Sequence, residues 1–432
     1  MFRPIIKYLI IIIFTALLTF QFSAQFAKIR LIPVGIVKLI FPENKVKPTI
    51  GTKDKKESLE KILNANSFYV HYNEVDYFSG YNINSDGSPN FQHRSAGFFG
   101  SYKNNDLHLQ LYTRDGFLIT KNNIEQFQLP RFYDSHNSHG GIRGIFFINN
   151  ETYAFMSSKK IGCQNMSLIN LKRKIEIFET DCLPDYQKIH LNGIGGASIH
   201  KDNNILLSIG APTNSSDKIR KLAQNDNSFY GKIVSINKDE IVNFLKNSDK
   251  KIKVETFTKG HRNPQGLANI KNSYFSSEHG PKGGDEINVL NKNNNYGWPL
   301  ASYGTKYEIL GEASYKLNHN KEKFTEPLLQ FTPSIAISDL SNCTKMMIDY
   351  FERDGCLLAT SLRKQSLYII LLSDDFDRII GYEELNFGER LRHFAKKKDG
   401  TLFFGKDGAI YITTDAGKVF KINFKFKKSY IN

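Results

Sequence analysis

The sequence predicts an all-β body behind an apolar amino-terminal segment. Aromatic residues are abundant, with 33 Phe and 21 Tyr among 432 residues. With Ile and Val they fall in short runs bounded by Asn, Asp and Gly. Turn signals such as Asn149-Asn150 and Lys406-Asp407-Gly408 separate those runs. Such a chain folds as a sandwich, a barrel or a propeller, and local periodicity does not choose among them. Length alone suggests two or three domains, but one closed all-β unit can occupy several hundred residues.

The chain opens with Arg3 and Lys7 around an apolar stretch from Ile5 to Ala24, uncharged from Tyr8 to Phe20. That is long enough for the core of a secretory signal and approaches the roughly 20 residues that span a bilayer. Ala24-Gln25-Phe26-Ala27 is a poor cleavage site. Residues 1–26 therefore read as an uncleaved signal-anchor helix, with a cleaved signal peptide as the alternative. Either way the body is exported, and the expected location is a bacterial periplasm, tethered to the inner membrane. Residues 27–66 form a membrane-proximal segment and Lys-rich linker, in which Leu59, Ile62 and Leu63 give Ser58–Ala65 helical spacing.

The β body occupies residues 67–425, with a tail at 426–432. Asp106–Thr113 alternates with period two, and Gly144–Ile148 and Thr152–Met156 read as a hairpin around Asn149-Asn150. Near the end, Thr401–Phe404, Ala409–Thr413 and Lys418–Ile422 read as strands between Gly-containing turns. The one helical stretch read inside the body is Lys238–Lys246, with Ile241, Val242 and Leu245 on one face.

Four cysteines suit an exported chain. None has the CxxC spacing of a zinc site. Of the three possible connectivities, two local bridges are preferred, Cys163–Cys182 and Cys343–Cys356, with free buried thiols as the alternative. The formal net charge of +15 reads first as a Lys-rich solvated surface, with an anionic membrane surface or an acidic ligand as the alternative. The lysines are scattered and no nucleic-acid module is present, so nucleic acid is not an expected partner.

Chemistry concentrates in Gly260-His261-Arg262-Asn263-Pro264-Gln265-Gly266-Leu267-Ala268. Glu278-His279-Gly280-Pro281, Asp285-Glu286-Ile287-Asn288 and Asn295-Tyr296-Gly297-Trp298-Pro299 follow it. Gly and Pro force sharp turns in each, and the polar residues are left aimed at something. In this order the four pieces resemble the glucose/sorbosone dehydrogenase family, soluble sugar dehydrogenases that use pyrroloquinoline quinone (PQQ) and calcium. The resemblance implies a six-bladed β-propeller, and residues 67–425 leave roughly 50–60 residues for each blade. It runs from about His139 to Ile422 and is strongest over 260–299.

The resemblance also implies site residues. Arg262 and Asn263 match a pair in the cofactor pocket. Arg390 and Arg392 match an Arg-Ile-Arg that holds cofactor carboxylates. Arg363 takes the place of a Lys that reaches the quinone, and Ser334 lies in a matching pocket segment. His279-Gly280-Pro281 matches a Gln-Gly-Pro whose Gly and Pro carbonyls hold calcium, with His279 in place of Gln. Asp285, Glu286 and Tyr296 match residues around a further calcium. The resemblance would make these cationic side chains converge on one spot, where they repel each other unless an anion is present, and a guanidinium fork suits carboxylates. A buried Arg262 satisfying loop carbonyls, or an Asp285-Glu286 pair capping loop amides, would give the same residue pattern.

Catalysis is where the sequence departs from the family. Oxidation of a sugar hydroxyl needs a base within hydrogen-bond reach, which the family supplies as a His. Here Asn192 occupies that position, and an amide cannot take the proton. The Gly-Asp that ends the next strand in the family is Gly210-Ala211 here. His190, two residues earlier, and His139, in Ser138-His139-Gly140-Gly141, are the candidate replacements, with Arg262 beside the reacting centre. The leading expectation is a PQQ- and calcium-dependent dehydrogenase that oxidises the anomeric hydroxyl of an aldose to a lactone and passes electrons to an unidentified acceptor. A catalytically degenerate propeller that binds a ligand or protein partner is the alternative. A calcium-dependent lactone hydrolase is a third reading.

Overall fold

A computed structural model of the chain describes residues 61–64, 68–75, 94–121, 123–134, 140–184, 191–212, 216–247, 252–306, 315 and 319–426. The apolar segment at 1–26 and the tail at 427–432 lie outside them. No helix among the described residues is long and apolar enough to cross a membrane.

The described strands form six antiparallel sheets in chain order, the blades of a β-propeller. Residues Lys61–Asn64 (β1) and Phe68–Val75 (β2) come first and are used last. Blade 1 holds Ser95–Lys103 (β3), Asp106–Thr113 (β4), Phe117–Thr120 (β5) and Asn123–Gln126 (β6). Blade 2 holds Ile142–Ile148 (β7), Glu151–Lys160 (β8), Cys163–Asn170 (β9) and Ile175–Glu179 (β10). Blade 3 holds Gly195–Lys201 (β11), Asn204–Ile209 (β12), Lys232–Asn237 (β13) and Val254–Lys259 (β14). Blade 4 holds Pro264–Ile270 (β15), Ser273–Glu278 (β16), Asp285–Leu290 (β17) and Leu329–Phe331 (β18). Blade 5 holds Ile337–Asn342 (β19), Cys356–Ser361 (β20), Ser366–Leu372 (β21) and Ile379–Asn386 (β22). Blade 6 is Leu391–Phe394 (β23), Ile410–Thr414 (β24) and Val419–Phe426 (β25), completed by β2 and β1. Strand β2 pairs with β25 from Phe68↔Phe426 to Val75↔Val419, so the start of the body closes the ring on its end.

The first strands of successive blades touch in sequence, β3 with β7, then β11, β15, β19 and β23, and β23 returns to β3. They line the axis. Each apolar cluster bridges two adjacent blades, as when Ile199, Leu206 and Phe257 of blade 3 meet Leu267, Tyr274 and Leu290 of blade 4. Middle strands are therefore buried on both faces, and Cys356–Ser361 is buried at every position. That is why they read as continuous apolar or small-residue runs without alternation.

Every inner strand shares one further feature. Its pairing register breaks just after its first residue, at Ser95/Gly97, Ile142/Gly144, Gly195/Ser198, Pro264/Gly266, Ile337/Asp339 and Leu391/Phe394. Such a bulge re-aims the extra residue. The residues carried there include Arg143, Gly196, Gln265 and Arg392.

The hairpin at Asn149-Asn150 is formed with both residues at positive φ (48° and 65°), the geometry of a type I′ turn. Helix Lys238–Lys246 is present, with Asn237 Oδ1 accepting from Asp239 N at 2.9 Å and Glu240 N at 3.2 Å. Both expected disulfides are formed, Cys163–Cys182 and Cys343–Cys356. Three expectations need correction. Where Ser58–Ala65 has helical spacing, Lys61–Asn64 is a strand paired with Tyr69–Tyr72, because ladder hydrogen bonds to β2 outweigh a single turn of amphipathic pattern. Thr401–Phe404 makes only isolated bridges, Lys396↔Leu402 and Phe404↔Ile410. Two helices beyond the expected one are present among the described residues, a single turn at Asp217–Arg220 and Lys345–Phe351, which follows Thr344, whose Oγ1 accepts from Met347 N at 3.4 Å.

Ring closure depends on Phe68, which is fully buried against the rings of Phe351, Phe424 and Phe426. Phe68→Ala should destabilise the chain by about 3–5 kcal/mol in urea melts. A loss below about 1 kcal/mol would show that the β2–β25 closure carries little of the fold's stability.

Candidate active site

The chain passes from one blade to the next at one face of the ring, where each inner strand begins. The turns between second and third strands lie at the same face. In blade 4 the turn into β15 is built around a buried scaffold. Gly260 sits at φ 79°, and a Cβ there would meet Asn295 Oδ1 at 2.2 Å, so only Gly fits. His261 is fully buried, with Nε2 2.8 Å from Thr258 Oγ1 and Nδ1 2.9 Å from Glu278 Oε1, and its ring stacks on Tyr296. Glu278 Oε2 also accepts from Arg262 N at 2.7 Å. Burial opposes the charge on Glu278, but His261 and the Arg262 and Asn263 amides outweigh it and hold the carboxyl below its ordinary range. His261 and Glu278 thus fix the backbone that presents Arg262 and Asn263.

Arg262 is nearly buried, donates from Nη1 to His279 O at 2.9 Å, and lies over the Trp298 ring with its Cζ 5.3 Å from the centroid. Asn263 Oδ1 accepts from Gln265 Nε2 at 2.6 Å and Gly195 N at 3.3 Å, tying blade 4 to blade 3. Asp285 is fully buried and accepts from Gly280 N (3.0 Å), Ser334 Oγ (2.8 Å), Ala336 N (2.6 Å) and Ile337 N (3.3 Å). It therefore shapes both the His279-Gly280-Pro281 turn and the entry to β19. Beside it, Asn288 Nδ2 lies between Glu278 Oε1 (3.1 Å) and Glu286 Oε2 (3.3 Å). Burial, then the Glu278 charge, drives the Glu286 carboxyl well above its ordinary range. Tyr296 OH donates to Val289 O and accepts from Asn291 N at 3.1 Å.

Blade 6 supplies the tightest ion pairs at this face. Asp415 accepts from Arg390 Nε at 2.8 Å and from Arg392 Nε at 2.7 Å, and Arg392 Nη2 lies 2.6 Å away. Arg392 is buried, while the Arg390 side chain is 46% exposed and open to a ligand. Arg363 is exposed on the neighbouring turn of blade 5, where Arg390 Nη1 reaches Leu362 O at 3.5 Å. His279 shares the field of this group. Burial first, then Arg262, Arg392 and Arg390, push its imidazole down to about 4, against the pull of Asp285. It is neutral at pH 7. The structure therefore brings together Arg262, His279, Arg390 and Arg392, with Asn263, Ser334 and Arg363 on the same turns.

Arg94, Arg114 and Arg143 complete the cationic group, and sequence reasoning overlooked them. Burial, then Arg392 and Arg94, lower Arg143 to about 10. Burial lowers Arg114 further, aided by Arg143, Arg392 and Arg94. A signal was available. Arg94 precedes β3 as Arg390 precedes β23, and Arg143 is the second residue of β7 as Arg392 is of β23. Aligning the blades on one another would have put all four in one class.

Below the arginines a narrow cavity runs along the axis, lined by Arg114, Arg143, Gln265, Asp339, His393 and Lys396 among others. Asp339 is buried, accepts from Lys396 Nζ at 2.8 Å, and has Oδ2 3.6 Å from His393 Nδ1. Burial lowers the His393 pKa more than Asp339 raises it, so the imidazole is neutral at pH 7. Asn192 stands half-buried in the turn before β11, and Ala211 is buried with its N donating to Arg262 O at 2.9 Å. His139 and His190 lie outside the described residues. Among the described residues, no group of three His, Cys, Asp or Glu side chains could hold a metal ion.

A family model described as Glucose / Sorbosone dehydrogenase matches residues 163–420. An uncharacterised protein of Synechocystis is 33% identical over 224 residues, 50% of this chain and 51% of that protein. The aldose sugar dehydrogenase YliI of Escherichia coli is 28% identical over 216 residues, 47% of this chain and 54% of that one. These matches span about half the length of the curated relatives. The structure of the PQQ-bound aldose sugar dehydrogenase of Streptomyces coelicolor superposes with a TM-score of 0.51 at 18% identity, over 77% of this chain and 97% of that one, a likeness of fold.

The Asp415 pairs carry a pH signature. Burial works against its charge, but Arg392 and Arg390 outweigh it and hold the carboxyl at about 2, against an ordinary 3.8. The carboxylate's contribution is complete above about pH 4 and is lost as pH falls through 2, a span worth roughly 2 kcal/mol. Urea melts of the chain and of Asp415→Asn should therefore differ most at neutral pH and converge by roughly 2 kcal/mol between pH 5 and 2. A pH-independent difference would mean that Asp415 is not paired as described.

Proposed function

The chain belongs to the glucose/sorbosone dehydrogenase family, and from that premise we propose that it is a PQQ- and calcium-dependent aldose dehydrogenase of the periplasm. The observation that carries this reading is the group of arginines 94, 114, 143, 262, 390 and 392 at one mouth of the ring, in mutual electrostatic reach. Asp415 offsets part of that charge and is already committed to Arg390 and Arg392. Guanidiniums gathered at one mouth repel one another, and a bound oligoanion relieves that repulsion. A tricarboxylate fits that donor set, because planar guanidiniums take carboxylates two bonds at a time.

Arg262, Asn263, Ser334, Arg363, Arg390 and Arg392 would hold the PQQ carboxylates, with His279 against the ring system. The carbonyls of Gly280 and Pro281 are hard oxygen donors suited to calcium. The Glu278–Glu286 pair fits a further cation, since a divalent ion would let both carboxyls ionise. Bound PQQ would supply the two-electron acceptor for the anomeric C–H. The protein must orient the sugar and take its hydroxyl proton. Asn192 can donate to or accept from the sugar but cannot hold the proton. His393 can, because its imidazole is neutral and Asp339 would stabilise the imidazolium it becomes. His139 and His190 remain candidates for the same role.

The test is a titration of the full chain in detergent with PQQ and calcium, followed by a panel of aldoses, read from the cofactor's absorption. A spectral shift that bleaches on sugar addition supports a dehydrogenase. A shift without bleaching favours the alternative, a propeller that binds without turnover. Arg390→Gln with Arg392→Gln should weaken PQQ binding about 100-fold, the loss of roughly two charge-assisted hydrogen bonds. No shift in the unsubstituted chain would sink the reading.

A further inference from the structure

A second imidazole lies on the axis that the chemistry above leaves unused. The inner strands all start at the mouth, so a later position in any of them lies deeper in the ring. His393 is the third residue of β23, and the register break between Leu391 and Phe394 brings it to the axis directly after Arg392. His200 is the sixth residue of β11, which puts it about 10 Å further down at the rise of an extended chain. Both line the one narrow cavity, together with Asp339 and Lys396. About 50 Å³ of that cavity is open to water, room for more than one molecule.

Each imidazole is arranged to accept a proton. Asp339 Oδ1 accepts from Lys396 Nζ and Leu340 N, both at 2.8 Å, and Oδ2 accepts from Phe394 N at 3.1 Å. The carboxylate is thereby fixed with Oδ2 3.6 Å from His393 Nδ1. Burial opposes its charge, but Lys396 and His393 outweigh that and hold the carboxyl below its ordinary range, so it stays ionised beside an imidazolium. His200 bonds to the Phe147 backbone, and its Nε2 is buried with no hydrogen-bond partner among the described residues. Burial, then Lys238, lower this imidazole against the pull of Asp399, so it is neutral at pH 7.

Residues 397–400 leave blade 6 and cross the far end of the cavity to blades 2 and 3. Lys398 Nζ donates to Asn150 Oδ1 at 2.9 Å, His200 N donates to Asp399 O at 3.2 Å, and a Cβ on Gly400 would stand 3.2 Å from Ser198 O. His200 is half-buried at the edge of that crossing.

We propose that protons freed in the reaction leave along the axis, from His393 through cavity water to His200 Nε2 and out at the face opposite the mouth. This rests on the dehydrogenase reading. Oxidising a sugar C–OH to C=O frees two electrons and two protons, and an electron-only acceptor removes only the electrons. The O–H proton goes to His393, where Asp339 holds the imidazolium and Lys396 holds Asp339 in place. The C–H hydrogen leaves with its electron pair and is freed as a proton when the two electrons move on. The mouth is a poor exit, since cofactor and sugar would occupy it and its guanidiniums repel a cation. The charges facing His393 are Asp339, Arg392 and Lys396, with Arg114 and Arg143 on the same cavity. Those facing His200 are Lys238 and Asp399, with Lys398 on the cavity wall.

The test uses the full chain in detergent. Without PQQ, NMR titration of isotope-labelled histidines should show the His393 pKa falling in Asp339→Asn and rising in Lys396→Gln, because the two charges act on it in opposite senses. An imidazole that responds to neither overturns the route. With PQQ, calcium, an aldose that bleaches the cofactor and ferricyanide as the electron-only acceptor, His200→Ala should slow steady turnover about tenfold more than it slows the first bleaching. Imidazole buffers should restore turnover in the order of their pKa values, which a molecule that merely fills the space would not do. If His200→Ala does not melt cooperatively, His200→Gln, whose amide cannot carry the proton, should give the same slowing. Unchanged turnover in these variants, or rescue that follows buffer size, overturns the route and leaves the dehydrogenase reading standing. No bleaching of the unsubstituted chain by any aldose overturns both.

Discussion

Closure of the ring is the constraint on which the rest of the structure depends. The body's first strand, Phe68–Val75, pairs along its length with the last, Val419–Phe426, and every blade then has a neighbour on both sides. Apolar clusters lie between blades, so no blade can bury its faces alone. Closure also brings six inner strands to one axis, each with a bulge just after its first residue. Residues hundreds of positions apart, such as Arg143 and Arg392, become electrostatic neighbours by that means alone.

The mouth so formed gathers cationic side chains from several blades. Asp415 neutralises Arg390 and Arg392 at short range, and Asp285 is spent on the amides of two turns and the Ser334 hydroxyl. Glu278 is engaged by His261 and the backbone of Arg262. Acidic groups here position backbone, and cationic side chains line the mouth. That division separates the scaffold of the Gly260–Ala268 motif from its chemistry. His261 is the scaffold and Arg262 the chemistry, although both are conspicuous in the sequence.

Much of this was legible without the fold. Strand β4 was read at its observed bounds from alternation at Asp106–Thr113, and helix Lys238–Lys246 from its apolar face. Both disulfides followed from cysteine proximity in sequence. The exchange of an expected His for Asn192 was visible by counting from Gly195-Gly196. Short-range pattern failed at Ser58–Ala65, where one turn of helical spacing could not reveal a strand whose partner is β2. It failed again at Thr401–Phe404, where apolar residues fill the space beside β24 with two isolated bridges.

What the sequence by itself determined is the set of local chemistries. They are turns at Asn149-Asn150 and Gly260, strands of apolar residues, two short-range disulfides, and the motif residues that mark the family. Each is decided by sterics or hydrogen bonds within a few residues of itself. Tertiary structure alone decided which charges share a space. Arg94, Arg114 and Arg143 look like solvated cations in the sequence, and His393 like a strand residue beside Arg392. Only the closed ring brings them within electrostatic reach of one another. Coulomb interaction depends on distance through space and on exclusion of water, and neither is a property of position along the chain.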